Sequence, residues 1–192
     1  MKKFRKRFLV VLPSMLFGVV SAATVSAQPG EFAPDSEIER LHEQLAEPDR
    51  QDWERIERQI ERIWSSSGSD SMDLLLERGR EAMGAGDLET ALQYLSALTD
   101  HAPDFAEGWN ARATTFFMMQ EYALSISDIE HVLSLNPRHF GALQGLGIMF
   151  EELGETELSL RAFRKAYELN PNQPEIDSAI ERLERQKGAA EL

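Results

Sequence analysis

Apolar residues recur through much of the chain at spacings of three and four, the period of helices that bury one face. Ile38, Leu41 and Leu45 mark one such face, opened by the capping-box pattern Ser36-Glu37-Ile38-Glu39 and ended by Pro48. Asp49 or Asp52 can cap the next helix, whose stripe is Trp53, Ile56, Ile60, Ile63 and Trp64, with Glu54 and Arg58 as an i,i+4 pair on the other side. Ser65–Ser71 (SSSGSDS) has linker composition. Beyond Pro171, Pro174–Lys187 predicts a final helix with Ile176, Ala179, Ile180 and Leu183 inward, Glu181–Arg185 paired outside, and Gly188 closing it.

Between these segments the pattern repeats. Pro103, Pro137 and Pro171 lie 34 residues apart without a gap, and the same shift superimposes Leu75, Trp109 and Leu143. It also superimposes Gly79, Ala113 and Gly147; Ala82, Phe116 and Phe150; Ala91, Ser125 and Ser159; Leu95, Ile129 and Phe163; and Leu98, Val132 and Ala166. Each set keeps its class, large apolar or small. Small residues allow two helix backbones to approach, and large ones a turn away fill the space around the contact. Each unit therefore predicts two antiparallel helices, turned at Gly84–Asp87, Gln120-Glu121 and Gly154-Glu155. Asp104 is placed to cap the helix after the first repeat, and Asn136-Pro137 and Asn170-Pro171 end the later ones.

These residues resemble the tetratricopeptide repeat, whose pattern is a large residue, Leu-Gly, an aromatic, Ala, Phe and a closing Pro. The third unit reads Leu143, Leu146-Gly147, Phe150, Ser159, Phe163, Pro171; Arg78 and Arg112 stand where the other two would carry leucine. The fold class implied is all-α: a tetratricopeptide-type α-solenoid of three helix–turn–helix repeats (72–105, 106–139 and 140–173) with extra helices at both ends. A C-terminal helix (174–187) covers the last apolar face, and by symmetry the Trp53–Trp64 helix is expected to cover the first repeat. Residues 36–64 are out of phase with the repeats and form a separate N-terminal segment, joined by the 65–71 linker.

The chain ends carry different information. Met1–Arg7 is basic, Phe8–Val20 is apolar but too short for a span and interrupted by Pro13, and Val25-Ser26-Ala27 places small residues before Gln28. This is the layout of a secretory signal peptide (1–27) cleaved after Ala27, followed by a flexible leader (28–35), and it predicts a periplasmic protein without stable membrane insertion of the mature chain. Without those residues the chain holds 15 basic against 33 acidic side chains, which argues against nucleic acid as a partner. With no cysteine, disulfides and thiolate metal sites are excluded.

Catalytic chemistry finds no support. His42, His101, His131 and His139 show no metal-ligand spacing and read as loop or surface residues. Glu151 and Glu152 are adjacent on a helix and do not face each other, and neither a nucleophile elbow nor a zinc-protease motif is present. No enzyme, metal or cofactor is expected. Trp109 and Phe116 fall at packing positions. The resemblance implies that the first helix of each repeat lines a concave groove. That groove would show Asp73, Leu76, Arg80 and Met83, then Glu107, Asn110, Thr114, Phe117 and Met118, then Gly141, Gln144, Ile148, Glu151 and Glu152. Apolar groups among amide and hydroxyl donors suit a peptide or protein partner. With Arg80 as its single cation, the groove is expected to lack a carboxylate clamp. The reading is a non-catalytic interaction scaffold. Its alternatives are a self-assembling structural protein, hence a possible homo-oligomer, and a regulatory subunit of an envelope enzyme complex. Residues 36–64 are apolar enough to cover the groove.

Overall fold

A computed structural model describes residues 34–190; the signal-peptide and most of the leader segments lie outside the described residues. Among the described residues there are nine α-helices and no strand. They are α1 (Pro34–Leu45), α2 (Trp53–Trp64), α3 (Asp70–Gly84), α4 (Leu88–His101), α5 (Ala106–Met118), α6 (Tyr122–Leu135), α7 (Phe140–Glu152), α8 (Thr156–Leu169) and α9 (Pro174–Ala190). Helices α3/α4, α5/α6 and α7/α8 pair as hairpins, and α4 packs on α5, α6 on α7 and α8 on α9. This is the all-α solenoid of three repeats.

The periodic residues explain the pairing. A Cβ on Gly79 would lie 2.6 Å from Leu95, and one on Gly147 would lie 2.8 Å from the Phe163 ring, so glycine sets how closely each hairpin closes. Serine replaces alanine in repeats 2 and 3 because its hydroxyl finds a partner: Ser125 Oγ donates to the Ala113 carbonyl and Ser159 Oγ to the Gly147 carbonyl, both at 2.7 Å. The turn position with φ near +77° is Gly86 in repeat 1 and Gly154 in repeat 3, but Gln120 (φ +64°) in repeat 2. Arg112 replaces leucine by forming a bidentate pair with Asp128 (2.7 and 2.8 Å), donating to Thr99 Oγ1 at 2.8 Å, and lying 4.6 Å over the Trp109 ring. Trp109 packs against the repeat-2 core and donates its indole N–H to the Pro103 carbonyl. The last repeat is covered as expected, since Leu143, Leu160, Phe163 and Ala166 share one cluster with Ile176, Ala179 and Leu183 of α9.

The N-terminal helices depart from expectation. Leu41, Leu45, Ile56 and Ile60 close α1 on α2, and this hairpin docks on Phe140 and Leu169, not on repeat 1. Its seat is the pair of loops before α7 and α9. Asn172 accepts from the Arg50 backbone N–H at 2.9 Å and donates to the carbonyls of Leu45 and Glu47 at 3.1 and 3.0 Å. Trp64 stacks on His139 with centroids 4.5 Å apart and contacts Phe140. The outer face of repeat 1 carries charged side chains where the later repeats are buried, with Leu74 as an exposed apolar exception at 49%. Thr115 and Met149 are buried in repeats 2 and 3, whereas the corresponding Glu81 is exposed and pairs with Arg78. Ala111 packs against Leu76 and Leu98, whereas its counterpart Glu77 is exposed.

Several boundaries also differ. Helix α1 starts at Pro34, so Ser36 lies inside the helix and not at its N-cap. Asp49 sits in a turn at φ +59°, and Asp52 precedes α2 without capping it because Arg50 and Arg55 hold its carboxylate. Helix α3 begins at Asp70 within the expected linker. Phe105, not Asp104, precedes α5, and α9 continues through Gly188.

Candidate functional site

On one side of the solenoid α2 lies beside the N-terminal ends of α5 and α7 and near Arg80 in the C-terminal part of α3. Cavities on this side have the α2 residues Arg58, Glu61, Arg62 and Trp64 on one wall and α5 and α7 residues on the other. Between α5 and α7 is a slot of about 320 Å³ lined by Asn110, Thr114, Phe117, Gly141, Gln144, Gly145 and Ile148, with Ser125, Ile129 and Met149 at its base. Glycine makes the slot: a Cβ on Gly145 would touch only Ile129, at 3.7 Å, so the space above α7 is left open. Five expected groove residues, Asn110, Thr114, Phe117, Gln144 and Ile148, are thus brought together.

The other expected residues fall elsewhere. Leu76 is 2% exposed, packed among Ala91, Leu95, Leu98 and Ala111; it belongs to the core and not to the groove. Met83 packs on the same cluster, and Met118 is exposed beyond the slot. Asp73 is taken by the linker, accepting from the Ser67 backbone N–H at 2.7 Å. Glu151 is held by Arg182 through two 2.8 Å bonds and borders a neighbouring cavity of about 420 Å³ that shares Gln144 and Ile148 with the slot.

At the α2 end, a cavity of about 490 Å³ is lined by Arg58, Glu61, Arg62, Trp64, Arg80, Glu107, Asn110, His139 and Phe140. Glu107 and His139 are 7% and 4% exposed, so His139 is not the surface residue expected, and neither is His42 at 6%. His139 Nδ1 accepts from the Ala142 backbone N–H at 3.1 Å and caps α7, which places the ring proton on Nε2, 3.0 Å from Glu107. Burial pushes the Glu107 carboxyl up, but the hydrogen bond from His139, the Arg80 guanidinium and the Asn110 amide outweigh it and hold it below the usual range. Arg80, the single expected cation, is spent on Glu107 and Ser65. Arg58 and Arg62 enter from α2, part of the 36–64 segment that the sequence offered as a cover for the groove.

A third cavity, about 290 Å³, runs between α2 and the start of α9 and is lined by Trp53, Glu54, Glu57, Arg58, Glu61, Gln144, Gln173 and Glu175. Glu57 accepts from Asn170 and Gln173 at 2.9–3.0 Å, yet burial, with the charges of Glu61 and Glu54, raises its carboxyl pKa. Burial and then the Glu107 charge raise Glu61 likewise. Gln173 is 6% exposed and its Oε1 finds no donor among the described residues. Among the described residues no cluster of His, Asp or Glu is arranged to hold a metal ion, and no helix is long and apolar enough to cross a membrane.

Stacked helical hairpins around a concave, amide-lined slot define an α-solenoid of the interaction-module kind. The tetratricopeptide repeat family model matches residues 76–130 and 111–174. A TPR repeat-containing protein of Rhizobium etli is 36% identical over 140 residues, covering 72% of this chain and 69% of that protein. The chain belongs to the tetratricopeptide repeat family. Mouse DnaJ homolog subfamily C member 3 is 28% identical over 108 residues, 56% of this chain and 21% of that protein. Among solved structures, the first TPR of Spaghetti (RPAP3) bound to an HSP90 peptide superimposes with TM-score 0.60 at 21% identity, covering 62% of this chain and 95% of that one. The MamA crystal structure gives 0.59 at 18% identity over 72% and 85%.

Proposed function

We propose that this protein is a non-catalytic scaffold, exported to the periplasm, that seats a segment of a partner protein in the groove between α5 and α7. The observation that carries the reading is the slot itself. Phe117 and Ile148 offer apolar walls, Asn110 and Gln144 offer amides that can meet a peptide backbone, and α2 borders the slot without filling it. A solenoid of the same fold has been solved with an HSP90 peptide, which supports this use of such a surface.

Two measurements test it. Envelope extract passed over the wild type, Phe117→Ala and Asn110→Ala should show partners lost from both variants; identical partner sets for all three sink the groove assignment. Export is checked by N-terminal sequencing of the protein from its native cells: a start at Gln28 in the periplasmic fraction is expected, and a retained Met1 in the cytosol refutes it.

A further inference from the structure

The slot and the acidic cavity beside it share the wall formed by Gln144, so one bound segment can fill both. Resting on the groove reading above, we propose that the ligand is a basic peptide anchored by one apolar side chain. Its Leu-, Met- or Phe-sized residue enters the glycine slot, and a neighbouring Lys or Arg enters the cavity between α2 and α9.

Charge decides the second half. The cavity is lined by four carboxylates, Glu54, Glu57, Glu61 and Glu175, against one cation, Arg58, which already lies 3.6 Å from Glu54. Glu61 and Glu175 have no ion-pair partner among the described residues. Burial, and then the charges of Glu61 and Glu54, raise the Glu57 carboxyl pKa, and burial also raises that of Glu61. A guanidinium or ammonium relieves that repulsion. Trp53 stands in the same wall, beside Gln173, whose buried Oε1 has no donor among the described residues. An acidic peptide has no such seat there, and the slot itself is lined by no charged side chain.

The test uses the purified full-length protein and an array of random decapeptides, followed by fluorescence anisotropy on the strongest binders. Three variants accompany the wild type: Gly145→Leu, the double carboxylate variant Glu61→Gln/Glu175→Gln, and Gly84→Ala as a distant control, with circular dichroism to verify folding. Gly145 has room for a side chain, so filling it blocks the slot without breaking the helix pair. The expected result is enrichment of peptides pairing an apolar residue with Lys or Arg, with affinity about tenfold or more weaker in Gly145→Leu and about fivefold weaker in the carboxylate variant at low salt. Should Gly145→Leu block binding while the enriched peptides are neutral or acidic, the ligand class is wrong and the groove reading survives. If no peptide binds, or binding ignores Gly145→Leu, both are overturned.

Discussion

Acid should release the α1–α2 hairpin, and His42 sets where. The ring is 6% exposed, contacts Trp64 at 5.6 Å between centroids, and has no hydrogen-bond partner at Nδ1. Burial, reinforced by the nearby Arg138 charge and only partly opposed by Glu39, lowers its pKa from 6.5 to about 4. The folded state therefore favours the neutral ring. Its contribution is complete above pH 6.5, is lost progressively as pH falls towards about 4, and is gone below that. A shift of this size at 1.36 kcal/mol per unit corresponds to roughly 3 kcal/mol, or a few hundredfold in the opening constant of the hairpin. Buried Glu57 in the same interface works in the opposite sense, because its raised pKa favours the protonated folded form as pH falls. Hydrogen exchange of α1 amides, corrected for the intrinsic rate and followed from pH 7 to pH 4, measures the opening directly. His42→Phe keeps an aromatic ring against Trp64 and removes the titration. Equal loss of protection in the wild type and His42→Phe would refute the assignment, as would full protection of wild-type α1 at pH 4.

Packing and charge give three more tests. Gly147→Ala drives a methyl into the Phe163 ring and should cost about 1–3 kcal/mol in thermal unfolding, whereas Gly145→Ala, with open space above it, should be neutral or stabilising. Asp128→Ala strands the half-buried Arg112 and should cost roughly 3–5 kcal/mol in urea titration; Arg112→Leu/Asp128→Ala recreates the Leu146 and Ala162 arrangement of repeat 3 and should recover most of that loss. Gln120→Gly relaxes a left-handed turn and should stabilise by about 0.5–1 kcal/mol, read as a raised unfolding midpoint; an unchanged or lowered midpoint contradicts the strain.

The solenoid was legible in the chain because every repeat contact is local: the partner of Gly79 is Leu95 and the partner of Gly147 is Phe163, each sixteen residues away and each marked by the period. Five residues lining the slot between α5 and α7 were legible for the same reason. What escaped depended on contacts between distant segments. Nothing near His139 announces that Trp64 will stack on it, or that Glu107 will meet its ring from the preceding repeat. Leu76 sits at a groove position by period but turns into the repeat-1 core. A signal for the second interface was present in α2, where Glu54, Glu57 and Glu61 recur at spacings of three and four, yet a charged stripe on an amphipathic helix reads first as solvated surface.

The seat of α1–α2 changes how the whole molecule holds together. A bare array of repeats behaves as a one-dimensional chain of neighbours, free to fray from either end. Here Asn172 grips Leu45 and Glu47 across more than 120 residues, and Glu57 holds Asn170 and Gln173. The first helices of the described chain are thereby tied to the junction before the last one. Losing the C-terminal repeat means losing the N-terminal hairpin as well, so the two unfold as one cooperative unit. The same long-range closure raises the contact order and slows the final step of folding relative to an open array of this length.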